Sequence, residues 1–141
     1  MTAELGREAA ASRAPRVLVV DDERHVRRLL RDLLEAWGCR TEEAGTGAEG
    51  IRLFEDGGYD LVLTDLVMPG VGGLELVEAV RERDARVGVI VLTGSSADVT
   101  ADRDRLGFTL LRKPLDVRGL QTAVRRALGA GGTGPDQPRA R

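Results

Sequence analysis

The strongest constraint on the fold is an alternation, along most of the chain, of short apolar runs with amphipathic segments. Residues 16–20 read Arg-Val-Leu-Val-Val, and comparable runs occupy residues 61–64 and 87–92. Apolar side chains that follow one another without polar interruption predict strands that are buried on both faces. Such strands, separated by helices, predict an α/β fold in which a parallel sheet lies between two layers of helices.

The segments between the apolar runs predict the helices. The first segment places Val26, Leu30 and Leu34 on one face and several arginines on the other, and Gly38 predicts its end. Thr46 and Glu49 have the spacing of a capping box at the start of a second helix. The remaining pattern predicts short strands at residues 39–44 and 110–111, a helix through Leu74, Val77 and Val80, and helices over residues 95–106 and 116–128.

Five βα units therefore fill residues 15–129, and they predict one doubly wound domain. Residues 1–14 alternate charged residues with alanine and predict a flexible N-terminal tail. Residues 130–141 are rich in Gly and Pro and predict a disordered C-terminal tail that is too short for a further domain.

Composition excludes several classes of function. The chain has 21 basic and 23 acidic residues, so no positive surplus is available to bind nucleic acid or an anionic membrane. Cys39 and His25 are the only residues of their types, which excludes a disulfide framework, a Cys/His zinc site and most His-dependent catalytic triads. No apolar run approaches the roughly 20 residues of a membrane helix, and no secretory signal is present. We therefore expect a cytoplasmic protein.

Polar side chains stand at the carboxyl end of nearly every predicted strand, where open parallel sheets bind their ligands. Asp21 and Asp22 follow the first strand, Asp65 the third, Thr93 the fourth and Lys113 the fifth. With five strands in the order 2-1-3-4-5, the first and third are neighbours, and these side chains converge on one edge of the sheet. Taken singly, the aspartates could cap helices or form turns, and Thr93 could simply end a strand.

The convergence of three aspartates on one edge makes helix capping and turn formation weaker explanations, because the carboxylate charges would repel one another. Carboxylates within ~4 Å repel by about 4 kcal/mol per pair at an effective dielectric near 20, which is more than a helix cap contributes. The cluster therefore predicts a bound cation, and a site with only oxygen ligands predicts Mg²⁺. Lys113 is the only lysine among 21 basic residues, which indicates a position that requires a compact ammonium group.

At this point the motifs resemble those of a known family, the receiver domains of bacterial two-component response regulators. The resemblance covers residues 15–129 and rests on Val-Val-Asp-Asp-Glu at 19–23, the segment 60–69 with Gly72-Gly73, Val-Leu-Thr-Gly at 91–94, and Lys113-Pro114. It implies a flavodoxin-like fold and a phosphorylatable switch that is not an enzyme beyond its own phosphorylation and dephosphorylation. It also implies a histidine kinase or histidine phosphotransfer protein as phosphoryl donor, and an unknown downstream target.

The resemblance assigns a role to each residue at the sheet edge. It implies that Asp65 accepts the phosphoryl group and that Lys113 and Thr93 contact that group. The Mg²⁺ ligands it implies are the carboxylates of Asp21, Asp22 and Asp65 and the backbone carbonyl of Val67. The sequence departs from the family pattern at Leu110, because the family often has an aromatic residue there, and Phe108 lies two residues earlier.

Three other hypotheses fit parts of the sequence. A pseudo-receiver that binds partners without phosphorylation would not need to keep all five polar residues. An aspartyl-phosphate phosphatase needs Asp-x-Asp directly after the first strand, whereas Asp21 and Asp22 are adjacent and Asp102-Arg103-Asp104 lies in a predicted helix. A flavodoxin would need a hydroxyl-rich phosphate loop and more aromatic residues than the 3% present.

Overall fold

Strands and helices alternate through the whole of the described chain. The computed structural model describes residues 13–133. In chain order the elements are β1 (Arg16–Val20), α1 (Arg24–Ala36), β2 (Arg40–Ala44), α2 (Gly47–Glu55), β3 (Leu61–Asp65), α3 (Gly73–Arg83), β4 (Gly88–Thr93), α4 (Thr100–Leu106), β5 (Thr109–Arg112) and α5 (Val117–Thr133). Among the described residues, no helix combines the length and the apolarity needed to cross a membrane.

The five strands form one parallel sheet in the order β2-β1-β3-β4-β5. This confirms the predicted doubly wound, flavodoxin-like fold. The continuous apolar runs became the central strands, and all five residues of β3 are buried. The edge strands β2 and β5 are partly exposed, which agrees with their weaker apolar pattern.

The sheet separates two apolar clusters because neighbouring residues of a strand point to opposite faces. On one face, Leu18, Val62 and Val91 pack with residues of α2, α3 and α4. On the other face, alternate residues of the same strands pack with residues of α1 and α5; they include Val17, Val19, Leu61, Leu63, Ile90, Leu30, Leu34, Leu120 and Val124. The side chains of the sheet are mainly aliphatic, so the core needs few aromatic rings.

The predicted helix over residues 95–106 is wrong in its first half, because α4 begins only at Thr100. The Ser95 hydroxyl accepts a hydrogen bond from Ala97 N at 2.9 Å, and the Asp98 carboxylate accepts one from Thr100 N at 3.0 Å. Hydrogen bonds from backbone N–H groups to Ser and Asp side-chain oxygens compete with helical hydrogen bonds and favour a turn. Residues 95–99 therefore form a loop that leads from β4 to α4.

The last helix is longer than predicted. α5 continues to Thr133, so residues 130–133, which the sequence analysis assigned to a disordered tail, are helical. Gly lowers helix propensity but does not prevent a helix, and the first proline after Leu128 is Pro135. The rest of that tail, residues 134–141, and most of the predicted N-terminal tail, residues 1–12, lie outside the described residues.

Candidate functional site

The carboxyl edge of the sheet brings together the aspartates that end β1 and β3. One carboxylate oxygen from each of Asp21, Asp22 and Asp65 lies within 4.8 Å of the other two. The Lys113 ammonium, which follows β5, completes the cluster: its Nζ is 3.4 Å from Asp65 Oδ1 and 4.0 Å from Asp21 Oδ2. The structure therefore places four of the predicted site residues in one acidic pocket.

Asp65 is held at the last position of β3. Its Oδ1 accepts a hydrogen bond from Leu66 N at 3.0 Å, and only 8% of the residue is exposed. The start of α3 packs closely behind it, because a Cβ on Gly73 would lie 2.3 Å from the Asp65 carbonyl oxygen. Only glycine fits this contact, which lets α3 begin directly beside the acidic pocket.

Asp21 is fully buried, and only one of its two carboxylate oxygens accepts a hydrogen bond. Its Oδ1 accepts a hydrogen bond from Glu23 N at 2.8 Å. Its Oδ2 is buried without a hydrogen-bond partner, and the nearest positive charge is the Lys113 ammonium at 4.0 Å. A buried carboxylate oxygen without a partner is costly to the fold, so it indicates a position that a cation occupies.

Burial raises the pKa of both Asp21 and Asp65 above the ordinary value of 3.8. Repulsion from the Asp65 carboxylate raises the pKa of Asp21 further, whereas the Lys113 ammonium lowers the pKa of both groups. Three carboxylates thus face one ammonium. A divalent cation would balance this charge, and the all-oxygen donor set with an orphaned Asp21 oxygen fits Mg²⁺.

Thr93 ends β4 and is 1% exposed, but its hydroxyl is engaged by the loop that follows. Thr93 Oγ1 accepts a hydrogen bond from Ser95 N at 2.9 Å, and the Ser95 carbonyl accepts one from Arg112 Nη1 at 2.9 Å. Val67 lies in the loop after β3, and 64% of it is exposed. Thr93 therefore ends the strand that pairs with β3, and Val67 lies two residues after Asp65, the last residue of β3.

The sequence analysis missed Arg27, which is one of the arginines that it placed on the polar face of the first helix. In the structure Arg27 Nη1 donates a hydrogen bond to the Asp21 carbonyl at 2.7 Å, and its side chain is 18% exposed. Helical periodicity could not separate Arg27 from Arg28, which is exposed, since both lie on the polar side of the amphipathic pattern. Only the position of β2 beside α1 distinguishes them.

Comparison with known proteins identifies the family. The family model described as the response regulator receiver domain matches residues 17–125. The chain belongs to this family. Receiver domains are the phosphorylatable switches of two-component response regulators; they bind Mg²⁺ at an acidic pocket and interact with histidine kinases and downstream effectors.

Several relatives of this receiver domain are longer proteins. It is 34% identical over 119 residues to the transcriptional regulatory protein YkoG of Bacillus subtilis, covering 83% of this chain and 52% of that protein. It is 33% identical to the DNA-binding transcriptional regulator NtrC of Azospirillum brasilense, of which it covers 25%. The chain thus spans about half or less of these regulators. By contrast, it covers 93% of sporulation initiation phosphotransferase F of Bacillus subtilis, with 30% identity over 115 residues and 80% of this chain matched.

Solved structures of receiver domains have the same fold. The response regulator TrrA of Thermotoga maritima, solved in complex with Mg²⁺ and BeF, superposes with a TM-score of 0.74 at 32% identity, covering 81% of this chain and 99% of that one. The chemotaxis protein CheY4 of Vibrio cholerae superposes with a TM-score of 0.76 at 27% identity, covering 82% and 99% of the two chains.

Proposed function

We propose that Asp65 is the phosphoryl acceptor of this receiver domain. The observation that carries the proposal is the position of the Asp65 carboxylate, which lies 3.4 Å from the Lys113 ammonium and within 4.8 Å of carboxylate oxygens of Asp21 and Asp22. Of the three carboxylates, that of Asp65 lies nearest to the Lys113 ammonium, and it is fixed at the last position of the central strand β3. A carboxylate in this setting can act as a nucleophile without a general base.

The proposed reaction transfers a phosphoryl group from a phosphohistidine. An Asp65 oxygen attacks the phosphorus, the bond from phosphorus to the histidine nitrogen breaks, and the imidazole leaves. Lys113 favours the ionised form of Asp65 against burial, and its ammonium would then donate to an oxygen of the transferred group. Phosphoryl transfer passes through a loose transition state, so positioning and charge neutralisation provide most of the acceleration.

The residues that would hold Mg²⁺ are Asp21, Asp22 and Asp65, together with the backbone carbonyl of Val67. When bound, the ion supplies positive charge that neutralises the oxygens of the phosphoryl group. Asp21 supplies a buried oxygen that no protein donor satisfies, and this is the feature of the chain that supports the metal site most directly.

Thr93 provides the proposed switch. Its hydroxyl oxygen accepts from Ser95 N and so keeps its own proton for donation. Aspartyl phosphate adds nearly two negative charges and three acceptor oxygens at the edge of the sheet, and Thr93 can reach them only if the loop of residues 94–99 moves with it. Movement of this loop would change the surface next to α4, which a downstream target would recognise. Hydrolysis of the aspartyl phosphate restores the starting surface.

The partners are proposed from the same chemistry. The phosphoryl donor is a histidine kinase or a histidine phosphotransfer protein. The phosphorylated domain acts on a downstream target protein, and both interactions take place in the cytoplasm. Neither nucleic acid nor a membrane surface is part of the proposal, since the chain carries no excess of positive charge.

Incubation with a small-molecule phosphodonor and Mg²⁺, followed by intact-mass measurement, tests the proposal. We expect the wild-type protein to gain one phosphoryl group and Asp65→Asn to gain none. Phosphorylation of the Asp65→Asn variant would show that a residue other than Asp65 accepts the phosphoryl group. No labelling of the wild-type protein would favour a pseudo-receiver, and rapid hydrolysis of many phosphoesters without a phosphorylated protein would favour a phosphatase.

A further inference from the structure

Arg27 links the acidic pocket to the edge of the sheet. Its Nη1 donates to the carbonyl of Asp21 at 2.7 Å, and its Nε donates to Glu43 Oε1 on β2 at 3.0 Å. The guanidinium is planar and rigid, so two contacts of this kind fix its position and that of both acceptors. At 18% exposure for Arg27 and 25% for Glu43, the ion pair is shielded more than an ordinary surface pair.

The contact adds to the restraints on the turn between β1 and α1, in which Asp21 Oδ1 accepts from Glu23 N and the Glu23 carbonyl accepts from Arg27 N. Asp21 N donates to the Ala44 carbonyl at 3.2 Å, and Arg27 binds the carbonyl on the other side of the same residue. Immediately after it, Asp22 and Glu23 are exposed, and α1 begins at Arg24 with no side-chain hydrogen bond from its N-cap residue. The Arg27 guanidinium therefore adds a restraint at the Asp21 carbonyl to those within the turn, which carries two of the three clustered carboxylates.

We propose that Arg27 is a positioning residue for the divalent cation. By holding the main chain at Asp21, it keeps the carboxylates of Asp21 and Asp22 in the arrangement that the cation requires, with Glu43 fixing the guanidinium. Groups that orient metal ligands from behind typically change metal affinity by about 10- to 100-fold when they are removed. The inference rests on the proposed function only in that the pocket must bind Mg²⁺.

The chain offers a matched control on the same helix. Arg31 lies one turn after Arg27 and binds the other oxygen of Glu43, with Nη1 3.1 Å from Oε2. Its other hydrogen bonds are to the neighbouring Asp32. Arg31 therefore shares the Glu43 carboxylate with Arg27 but does not contact Asp21. Arg31→Gln removes the same charge and the same type of ion pair from α1, and it leaves the Asp21 carbonyl bound.

The direct test measures Mg²⁺ affinity of the full chain. The amide signals of Asp21, Asp22 and Asp65 are followed by NMR during titration with MgCl₂ at constant ionic strength, for wild type, Arg27→Gln, Arg27→Met, Arg27→Lys and Arg31→Gln. We expect Arg27→Gln and Arg27→Met to raise the Kd at least about tenfold. Arg31→Gln should stay within about twofold of wild type, as is usual for a charge that contacts no ligand. Arg27→Lys should fall between them, because an ammonium can bind one of the two acceptors but lacks the rigid fork.

A second readout separates positioning from loss of structure. In phosphorylation by a small-molecule donor, we expect Arg27→Gln to raise the Mg²⁺ concentration for half-maximal rate by the same factor as the Kd. The rate at saturating Mg²⁺ should stay close to that of wild type, since Asp65 and Lys113 are unchanged. A merely structural role would instead lower the saturated rate.

Two outcomes would overturn the inference. The first is a Kd within twofold of wild type in a folded Arg27 variant; Arg27→Met keeps the aliphatic stem packed if Arg27→Gln does not fold. The second is an equal shift in Arg31→Gln. Either result leaves Asp65 phosphorylation intact, so it is distinguishable from failure of the proposed function, in which the wild-type protein neither binds Mg²⁺ nor gains a phosphoryl group.

Discussion

The carboxyl groups of Asp21 and Asp65 are buried in a pocket that contains one ammonium group, that of Lys113. Burial raises the pKa of both carboxyl groups above 3.8, so the folded protein binds their protons more tightly than the unfolded chain does. By linkage, the stabilising effect of protonation is fully present below the unfolded pKa. It is lost as the pH rises through the folded pKa values. Without a cation, the free energy of unfolding is therefore lower above the folded pKa values of the two groups than it is below 3.8.

Removing one of these charges should stabilise the metal-free protein. In Asp21→Asn, the amide oxygen can still accept from Glu23 N, while the repulsion from Asp65 disappears. We expect a higher urea midpoint than wild type near neutral pH in the presence of EDTA, and a difference that shrinks as the pH is lowered toward 3.8. Urea denaturation over a series of pH values measures this. A difference that does not depend on pH would show that the carboxylate charge is not the cause.

Gly73 has a steric role beside Asp65. An added Cβ would lie 2.3 Å from the Asp65 carbonyl and 2.9 Å from Leu66 Cα, and both are backbone atoms that cannot move aside freely. We expect Gly73→Ala to lower the free energy of unfolding by about 1–3 kcal/mol, the usual effect of overpacking. Gly94→Ala is the control near the same pocket: its Cβ would lie 3.9 Å from Lys113 Cβ, an ordinary contact. Urea denaturation should show it within about 0.5 kcal/mol of wild type.

Among the elements, α4 depends most on its neighbours. It runs only from Thr100 to Leu106, and an isolated helix of this length is not stable in water. Arg81 on α3 binds its end: Nε donates to the Leu106 carbonyl at 2.6 Å, and Nη2 donates to the Gly107 carbonyl at 3.1 Å. The same guanidinium donates from Nη1 to the Val87 carbonyl at 2.7 Å, just before β4. One side chain thus joins α3, the start of β4 and the end of α4.

Loss of the Arg81 guanidinium should lower the stability of the fold. We expect Arg81→Gln to lower the free energy of unfolding by about 2–3 kcal/mol, because several carbonyls lose a charged donor. Hydrogen exchange should also increase first in residues 100–107. Arg83→Gln is the control on the same helix, since Arg83 forms only an exposed ion pair with Glu55 at 3.6 Å. It should change stability by less than about 1 kcal/mol, and equal effects of both variants would contradict the assigned role of Arg81.

At the scale of the whole molecule, the sheet is a rigid scaffold with its unsatisfied charge at one edge. The core on both faces is mainly aliphatic, whereas the acidic pocket holds three carboxylates and one ammonium. A cation that binds only the folded chain stabilises it by mass action. Binding of Mg²⁺ at the acidic pocket, as proposed above, would couple the stability of the entire domain to the concentration of the ion.

Thermal denaturation should show this coupling. We expect Mg²⁺ to raise the Tm at constant ionic strength, with a gain of about 2.7 kcal/mol when free Mg²⁺ is a hundredfold above its Kd. The double variant Asp21→Asn with Asp65→Asn should lose the dependence on Mg²⁺, since it lacks two of the clustered carboxylates. Replacing MgCl₂ by KCl at the same ionic strength is the control. An equal rise in KCl would indicate general screening rather than a specific site.

The sequence alone determined the order of the elements, the parallel sheet and which polar residues end which strands. Those features follow from local patterns, because an apolar run such as residues 61–64 must be buried and chain connectivity then places Asp65 at a known edge. Only the structure showed the start of α4, the end of α5 and the engagement of the Thr93 hydroxyl by Ser95, and only tertiary packing decided the reach of Arg27 to Asp21. These depend on which backbone groups lie within reach of a particular side chain, and helices only a few residues long gain too little from local propensity to set their own ends. Periodicity assigned Arg27 to a face of α1; only the packing of α1 beside β2 brought its guanidinium to the acidic pocket.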